Sequence, residues 1–127
     1  MKLRIKGNSL RLRVSKSELA RLLEDGYIED AIQLMAAPDA KLTYTLATAI
    51  QSHPLRVQCQ SHGIMVTLSK EQANAWASAA EVGVYETLSL GAAGSLDVIV
   101  EKDFACLDRS DDENWDTFAN PNCPGRV

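Results

Sequence analysis

The sequence has few cysteines, few aromatic residues and no long apolar run. Three cysteines in 127 residues are an odd number and too few for the disulfide framework of a small secreted domain, which favours a reducing compartment. The first residues alternate between charged and apolar side chains, unlike a signal peptide, and no stretch approaches the length needed to span a bilayer. We therefore expect a cytoplasmic protein that does not contact a membrane.

The sequence also lacks the common motifs of catalysis and cofactor binding. It has no phosphate-binding glycine loop, no serine nucleophile elbow and no paired-histidine metal motif. Gly91-Ala92-Ala93-Gly94 lies between two predicted strands rather than before a helix, so it lacks the helix N-terminus that binds phosphate. We predict no cofactor and no metal ion, and these absences weigh against an enzyme.

Acidic residues are missing from the start of the chain, although the net charge is −4. Residues 1–14 contain five cations and no acid, whereas residues 103–127 contain six acids and two arginines. The five cations are Lys2, Arg4, Lys6, Arg11 and Arg13. The acidic total argues against nucleic acid as a partner but leaves room for a local basic patch.

The length and the 46% hydrophobic content predict one globular domain over residues 1–127 with an acidic tail over 103–127. Within it, the hydrophobic pattern from Ser15 to Ala47 recurs from Ser69 to Glu101, at an offset of 54 residues (69 − 15 = 54). This recurrence predicts that residues 3–47 and 55–101 form the same structural unit twice, related by a pseudo-twofold axis.

Each half has the pattern strand, strand, helix, strand, strand. Gly7-Asn8 is typical of a hairpin turn, and Ser15 followed by Glu18 is a capping box that begins a helix, as Ser69 followed by Gln72 is in the second half. The predicted fold class is α+β, with two tandem ββαββ units and mainly antiparallel sheet, either a closed barrel or two packed sheets. Trp76, on the apolar stripe of the second helix, is predicted to be buried.

The basic hairpin is the first candidate site. Alternation places its five cations on one face of two neighbouring strands, where guanidinium groups could bind a phosphate or carboxylate. The alternative is the ordinary solvated face of a half-buried hairpin. The predicted ligand-binding residues are Arg4, Lys6, Arg11 and Arg13. Glu101 and Asp103 are candidate acid/base groups or metal ligands opposite the arginines.

Two weaker metal patterns are also present. A zinc site would need Cys59 and His62 together with the two remaining cysteines, Cys106 and Cys123, neither of which has a second ligand nearby in sequence. Residues 108–116 place oxygen ligands at alternate positions like a calcium loop, but Glu113 replaces the glycine of the turn. A solvated acidic tail is the simpler interpretation.

Trp115 and Phe118 are unusual for a disordered tail, so we expect this segment to dock. Because the hairpin is basic and the tail acidic, the predicted arrangement is a strap whose acids approach the hairpin arginines.

Three segments carry a resemblance to a known family: GNSLRLR at 7–13, EKDFACL at 101–107 and DTFANP at 116–121. The chain resembles a family of small bacterial proteins classed as a domain of unknown function, over most of its length. The resemblance implies a free-standing cytoplasmic bacterial protein and identifies no catalytic residue.

Three functions remain open. The first is a small binding or regulatory module that holds an anionic small molecule or a protein partner through the basic hairpin. The second is an enzyme acting on a phosphorylated or carboxylated small molecule, with Glu101 and Asp103 in acid/base roles. The third is a purely structural interaction protein. For each of them a monomer or a homodimer is expected.

Overall fold

A computed structural model describes residues 1–78, 82–103 and Phe118. These residues form eight strands, two α-helices and one short 3-10 turn at Gly91–Ala93. The strands are β1 (Lys2–Lys6), β2 (Ser9–Val14), β3 (Tyr27–Gln33), β4 (Lys41–Ala49), β5 (Leu55–Gln60), β6 (Gly63–Ser69), β7 (Gly83–Ser89) and β8 (Ser95–Lys102). The helices are α1 (Lys16–Asp25) and α2 (Lys70–Ser78). Neither described helix has the length and apolar character needed to cross a bilayer.

The strands form two four-stranded sheets. The first sheet has the order β1-β2-β8-β7 and the second has the order β3-β4-β6-β5. Each consists of two antiparallel hairpins joined through a parallel central pair, which is β2 with β8 in the first sheet and β4 with β6 in the second.

The prediction of an α+β fold built from two tandem ββαββ units is wrong. The hairpin β1-β2 pairs with β7-β8, and β3-β4 pairs with β5-β6, so neither half of the chain makes a sheet of its own. The fold is mostly β, the sheets are mixed rather than mainly antiparallel, and the described strands form two open sheets instead of a closed barrel. Period-two alternation indicates which face of a strand is buried, but it does not identify the neighbouring strand.

The chain divides into two compact units. The first unit comprises Met1–Leu19 and the chain from Val82 onward, and it contains the first sheet. The second unit comprises Ala20–Glu81 and contains the second sheet and α2. The single domain over residues 1–127 stays a prediction.

The helix ends follow the sequence signals. The Glu18 N–H donates to Ser15 Oγ (3.3 Å) and the Ser15 N–H donates to Glu18 Oε1 (3.0 Å), so the first predicted capping box is confirmed. At α2, the Gln72 N–H donates to Ser69 Oγ (3.0 Å), while the Ser69 N–H donates to the Pro54 carbonyl (3.0 Å). The second helix therefore has the serine cap, and a neighbouring carbonyl satisfies the serine N–H.

Alternation along the strands separates a buried apolar face from a charged one. On β2, Leu10, Leu12 and Val14 are buried, whereas the two arginines between them are partly exposed. On α2, which lies against β4 and β6, Ala73 and Trp76 are buried, and Trp76 is 0% exposed. The predicted burial of Trp76 is confirmed. The opposite face of the first sheet is left for charged side chains.

Candidate anion-binding face of the first sheet

One face of the first sheet carries three rows of residues that cross its four strands, and these rows contain most of the charged side chains of the sheet. From β1 to β7, the rows are Lys2, Arg13, Glu101 and Gly83; Arg4, Arg11, Ile99 and Tyr85; and Lys6, Ser9, Asp97 and Thr87. We call this surface the basic face and name the rows after their β8 residues: the Glu101 row, the Ile99 row and the Asp97 row. Neighbouring strands lie about 4.8 Å apart, so consecutive residues within a row are close enough to interact.

All five cations predicted from the N-terminal hairpin lie on the basic face, on β1 and β2. In the Ile99 row, Arg4 and Arg11 are direct cross-strand neighbours. Like charges directly opposite each other destabilise a sheet unless an anion compensates them. The arrangement therefore favours negative charge beside the two arginines.

Glu101 supplies part of that compensation. The Arg13 Nε–H donates to Glu101 Oε1 at 2.7 Å, and Arg11 Nε lies 3.5 Å from the same oxygen. The Glu101 side chain is only 11% exposed, so these contacts are partly shielded from water. One carboxylate therefore orients two guanidinium groups on β2.

Asp103 lies just beyond β8 and contacts the margin of the basic face. Its Oδ2 is 3.0 Å from Lys2 Nζ, and its N–H donates to the Val14 carbonyl at 2.8 Å. The Phe118 N–H in turn donates to the Asp103 carbonyl at 2.8 Å, and Lys102 Nζ lies 5.4 Å from the centre of the Phe118 ring, a cation–π distance.

Phe118 therefore docks at the end of β8. The tail acids from Asp108 to Asp116 lie outside the described residues. Their predicted approach to the hairpin arginines stays a prediction.

Two cations remain uncompensated on this face. Within the part of the chain that the structure describes, Arg4 and Lys6 are exposed and have no acidic partner. Two shallow hollows adjoin them. One, of about 170 Å³, is lined by Arg4, Lys6, Ser9, Arg11 and Ile99, and the other, of about 160 Å³, is lined by Lys2, Arg4, Arg11 and Arg13. Arg4 and Arg11 line both hollows and so mark the centre of the candidate site.

The structure brings the four predicted ligand-binding residues together with Glu101. Glu101 and Asp103 are each engaged in an ion pair with a cation of the hairpin, and an acid/base role for them stays a prediction. Over residues 1–78, 82–103 and 118, no cluster of acids, histidines and cysteines is suited to hold a metal ion.

Ile99, Tyr85 and Asp97 belong to the basic face and were missed by the sequence analysis. The alternation of β8 identifies Asp97, Ile99 and Glu101 as one face of that strand. It does not indicate that β8 lies beside β2, which is what brings these residues to the arginines.

The other candidate residues are dispersed or lie beyond the description. Cys59 is an exposed free thiol, and His62 lines a separate hollow of the second sheet, where Thr45 Oγ1 donates to Glu29 Oε2 at 2.9 Å. Cys106, Cys123 and the calcium-like segment lie outside the described residues, so neither metal pattern acquires a described site.

The fold and this face define a small mixed-β protein with a cationic sheet surface. The chain belongs to a family of unknown function (DUF7009), whose model matches residues 1–122. The predicted membership of a domain-of-unknown-function family is thereby confirmed. No curated protein and no solved structure matches the chain.

Proposed function

We propose that this protein is a small binding module that holds a carboxylate or phosphate group of a small molecule on the basic face. The observation that carries the proposal is the cross-strand pair Arg4 and Arg11, which lines both hollows. Arg4 has no acidic partner among the described residues, so an anion bound here would complete the local charge balance.

The chemistry of arginine suits this role. A guanidinium group carries five N–H donors in a planar fork and binds the two oxygens of a carboxylate or phosphate side by side. The hydrogen bond from Arg13 to Glu101 uses Nε, which leaves other donors of that guanidinium for a ligand. Glu101 holds Arg11 and Arg13 in place, which reduces the ordering cost of binding.

The scale of the hollows favours a small molecule over a protein partner. Each hollow has a volume below about 200 Å³, which suits one or two small chemical groups. The overall charge of −4 adds nothing to attract nucleic acid. Glu101 and Asp103 support the cations in this proposal and have no acid/base role.

The test is a calorimetric titration with inorganic phosphate and with citrate. The variants Arg4→Gln and Arg11→Met remove one charge each, and they introduce the residues found at the corresponding places of the second sheet, Gln58 and Met65. We expect each variant to lower the affinity about ten- to a hundredfold, because a hydrogen bond to a charged group contributes about 1.5–3 kcal/mol. Added salt should weaken the binding further.

The matched control is Arg56→Gln, which removes an exposed arginine from β5 of the second sheet. Its affinity should equal that of the unmodified protein. If the unmodified protein binds neither anion, or if Arg56→Gln loses as much affinity as Arg4→Gln, the proposal is wrong.

A further inference from the structure

The basic face has a charge polarity, because its cations and its carboxylates lie on different strands. All of its cations lie on β1 and β2, and all of its carboxylates within the three rows lie on β8. Asp97 and Glu101 occupy the positions on either side of Ile99 along β8. On β7, the residue opposite Ile99 is Tyr85, which is 58% exposed.

This polarity restricts how a ligand can lie in the Ile99 row. An anionic group placed over Ile99 would have a carboxylate on either side, and like charges repel. The anionic group is therefore directed to Arg4 and Arg11, and only a neutral part of the ligand can cover Ile99.

Ile99 and Tyr85 also determine the chemistry of that neutral part. Ile99 is half-buried and lines the hollow that it shares with Arg4 and Arg11, so an apolar group over it would remove apolar surface from water. The exposed Tyr85 ring favours an aromatic partner, in edge-to-face or offset geometry. Arg11 and Tyr85 are two strand spacings apart, about 10 Å, which leaves room for one ring between them.

We propose that the ligand is an aromatic anion, whose carboxylate or phosphate binds Arg4 and Arg11 and whose ring lies over Ile99 against Tyr85. This inference rests on the proposed function, since it extends the same site along its central row. It specifies a single ring attached directly to the anionic group.

The experiment compares two phosphate monoesters that differ in the organic group esterified to the phosphate. Phenyl phosphate and methyl phosphate present the same anionic group, so the ratio of their affinities measures the contribution of the ring. We expect phenyl phosphate to bind about three- to tenfold more tightly. Benzoate against acetate repeats the comparison for carboxylates and shows which of the two anionic groups the site prefers.

Two variants remove the apolar part of the row: Tyr85→Ser and Ile99→Thr, the latter introducing the residue at the corresponding place of the second sheet, Thr45. Each should lower the ratio of the phenyl phosphate affinity to the methyl phosphate affinity. The matched control is Tyr27→Ser on β3 of the second sheet, where the tyrosine is 57% exposed.

The outcomes separate the two proposals. If phenyl and methyl phosphate bind equally and Tyr85→Ser changes neither affinity, the aromatic ligand is wrong and the anion-binding function stands. If neither ester nor any other anion binds, both proposals fail. A loss of phenyl phosphate affinity in Tyr27→Ser equal to that in Tyr85→Ser would also overturn the aromatic ligand.

Discussion

The two sheets share a topology and differ in what their polar faces carry. In the first sheet Ser9 lies opposite Asp97, and in the second Gly63 lies opposite Thr43, so the parallel pairs match at the offset of 54 residues (9 + 54 = 63; 97 − 54 = 43). The agreement extends to the β1-β2 and β5-β6 hairpins, whereas the registers of β3-β4 and β7-β8 differ by two residues.

The second sheet maintains the same strand order with a nearly neutral polar face. The row that corresponds to the Ile99 row consists of Gln58, Met65, Thr45 and Glu29. The pair Arg13 and Glu101 corresponds to Thr67 and Ala47. The strand order therefore does not require the cations of the basic face.

The two helices bury the same two positions with different residues, and this difference leads to the largest expected effect. Leu19 and Leu22 are buried on α1, and Ala73 and Trp76 are buried on α2. Because α2 relies on one large side chain beside a small one, Trp76→Ala should lower the free energy of unfolding by about 3–5 kcal/mol, as measured by urea denaturation. Trp76→Phe, which leaves a smaller void, is the control and should lose less. An unchanged midpoint for Trp76→Ala would contradict this account of α2.

A glycine in the second sheet gives an intermediate effect. A Cβ on Gly63 would overlap the carbonyl oxygen of Thr43 in the neighbouring strand, whereas the first sheet has Ser9 at the corresponding position. Gly63→Ser should therefore cost about 1–3 kcal/mol of stability through overpacking. The reverse change, Ser9→Gly, should cost at most about 1 kcal/mol. If Gly63→Ser and Ser9→Gly lowered the free energy of unfolding by the same amount, the close approach at Gly63 would make no difference to stability.

The ion pair on the basic face gives the smallest effect. The variants Glu101→Ala and Arg13→Thr introduce the residues found at the corresponding positions of the second sheet. Together with the double variant they form a double-mutant cycle. Because Arg13 is 40% exposed, solvent screens the pair, and we expect a coupling energy of about 1 kcal/mol. Glu101→Ala alone should cost more than Arg13→Thr alone, because it leaves Arg11 and Arg13 without their shared carboxylate. A coupling energy of zero would remove the positioning role of Glu101.

The sequence predicts those parts of the fold that depend on neighbours along the chain. The hairpin at Gly7-Asn8, the capping box of Ser15 and Glu18 and the burial of Trp76 all depend on local patterns, and all are present. The pairing of β2 with β8 has no local pattern, because it joins residues 88 positions apart and either strand could have paired elsewhere with the same face buried.

The same division applies to the candidate site. The clustering of the five cations follows from alternation within one hairpin, so the sequence predicts it. Ile99 and Tyr85 join the cations only through the β2-β8 pairing, which alternation cannot reveal. Glu101 was expected opposite the arginines and is found there as their ion-pair partner, while its acid/base role stays a prediction.

The separation in sequence of β2 and β8 also bears on the order in which the chain folds during synthesis. The central pair of the second sheet joins Thr43 and Gly63, only 20 positions apart (63 − 43), so its closure costs little entropy and can occur early. The basic hairpin is synthesised 88 positions before the residues of β8 that pair with β2, and an isolated hairpin is marginally stable at best. We expect pulse-labelled hydrogen exchange to protect the β4-β6 amides before the β2-β8 amides. A nascent chain that ends before β8 would therefore lack the complete basic face, although its arginines have already been synthesised.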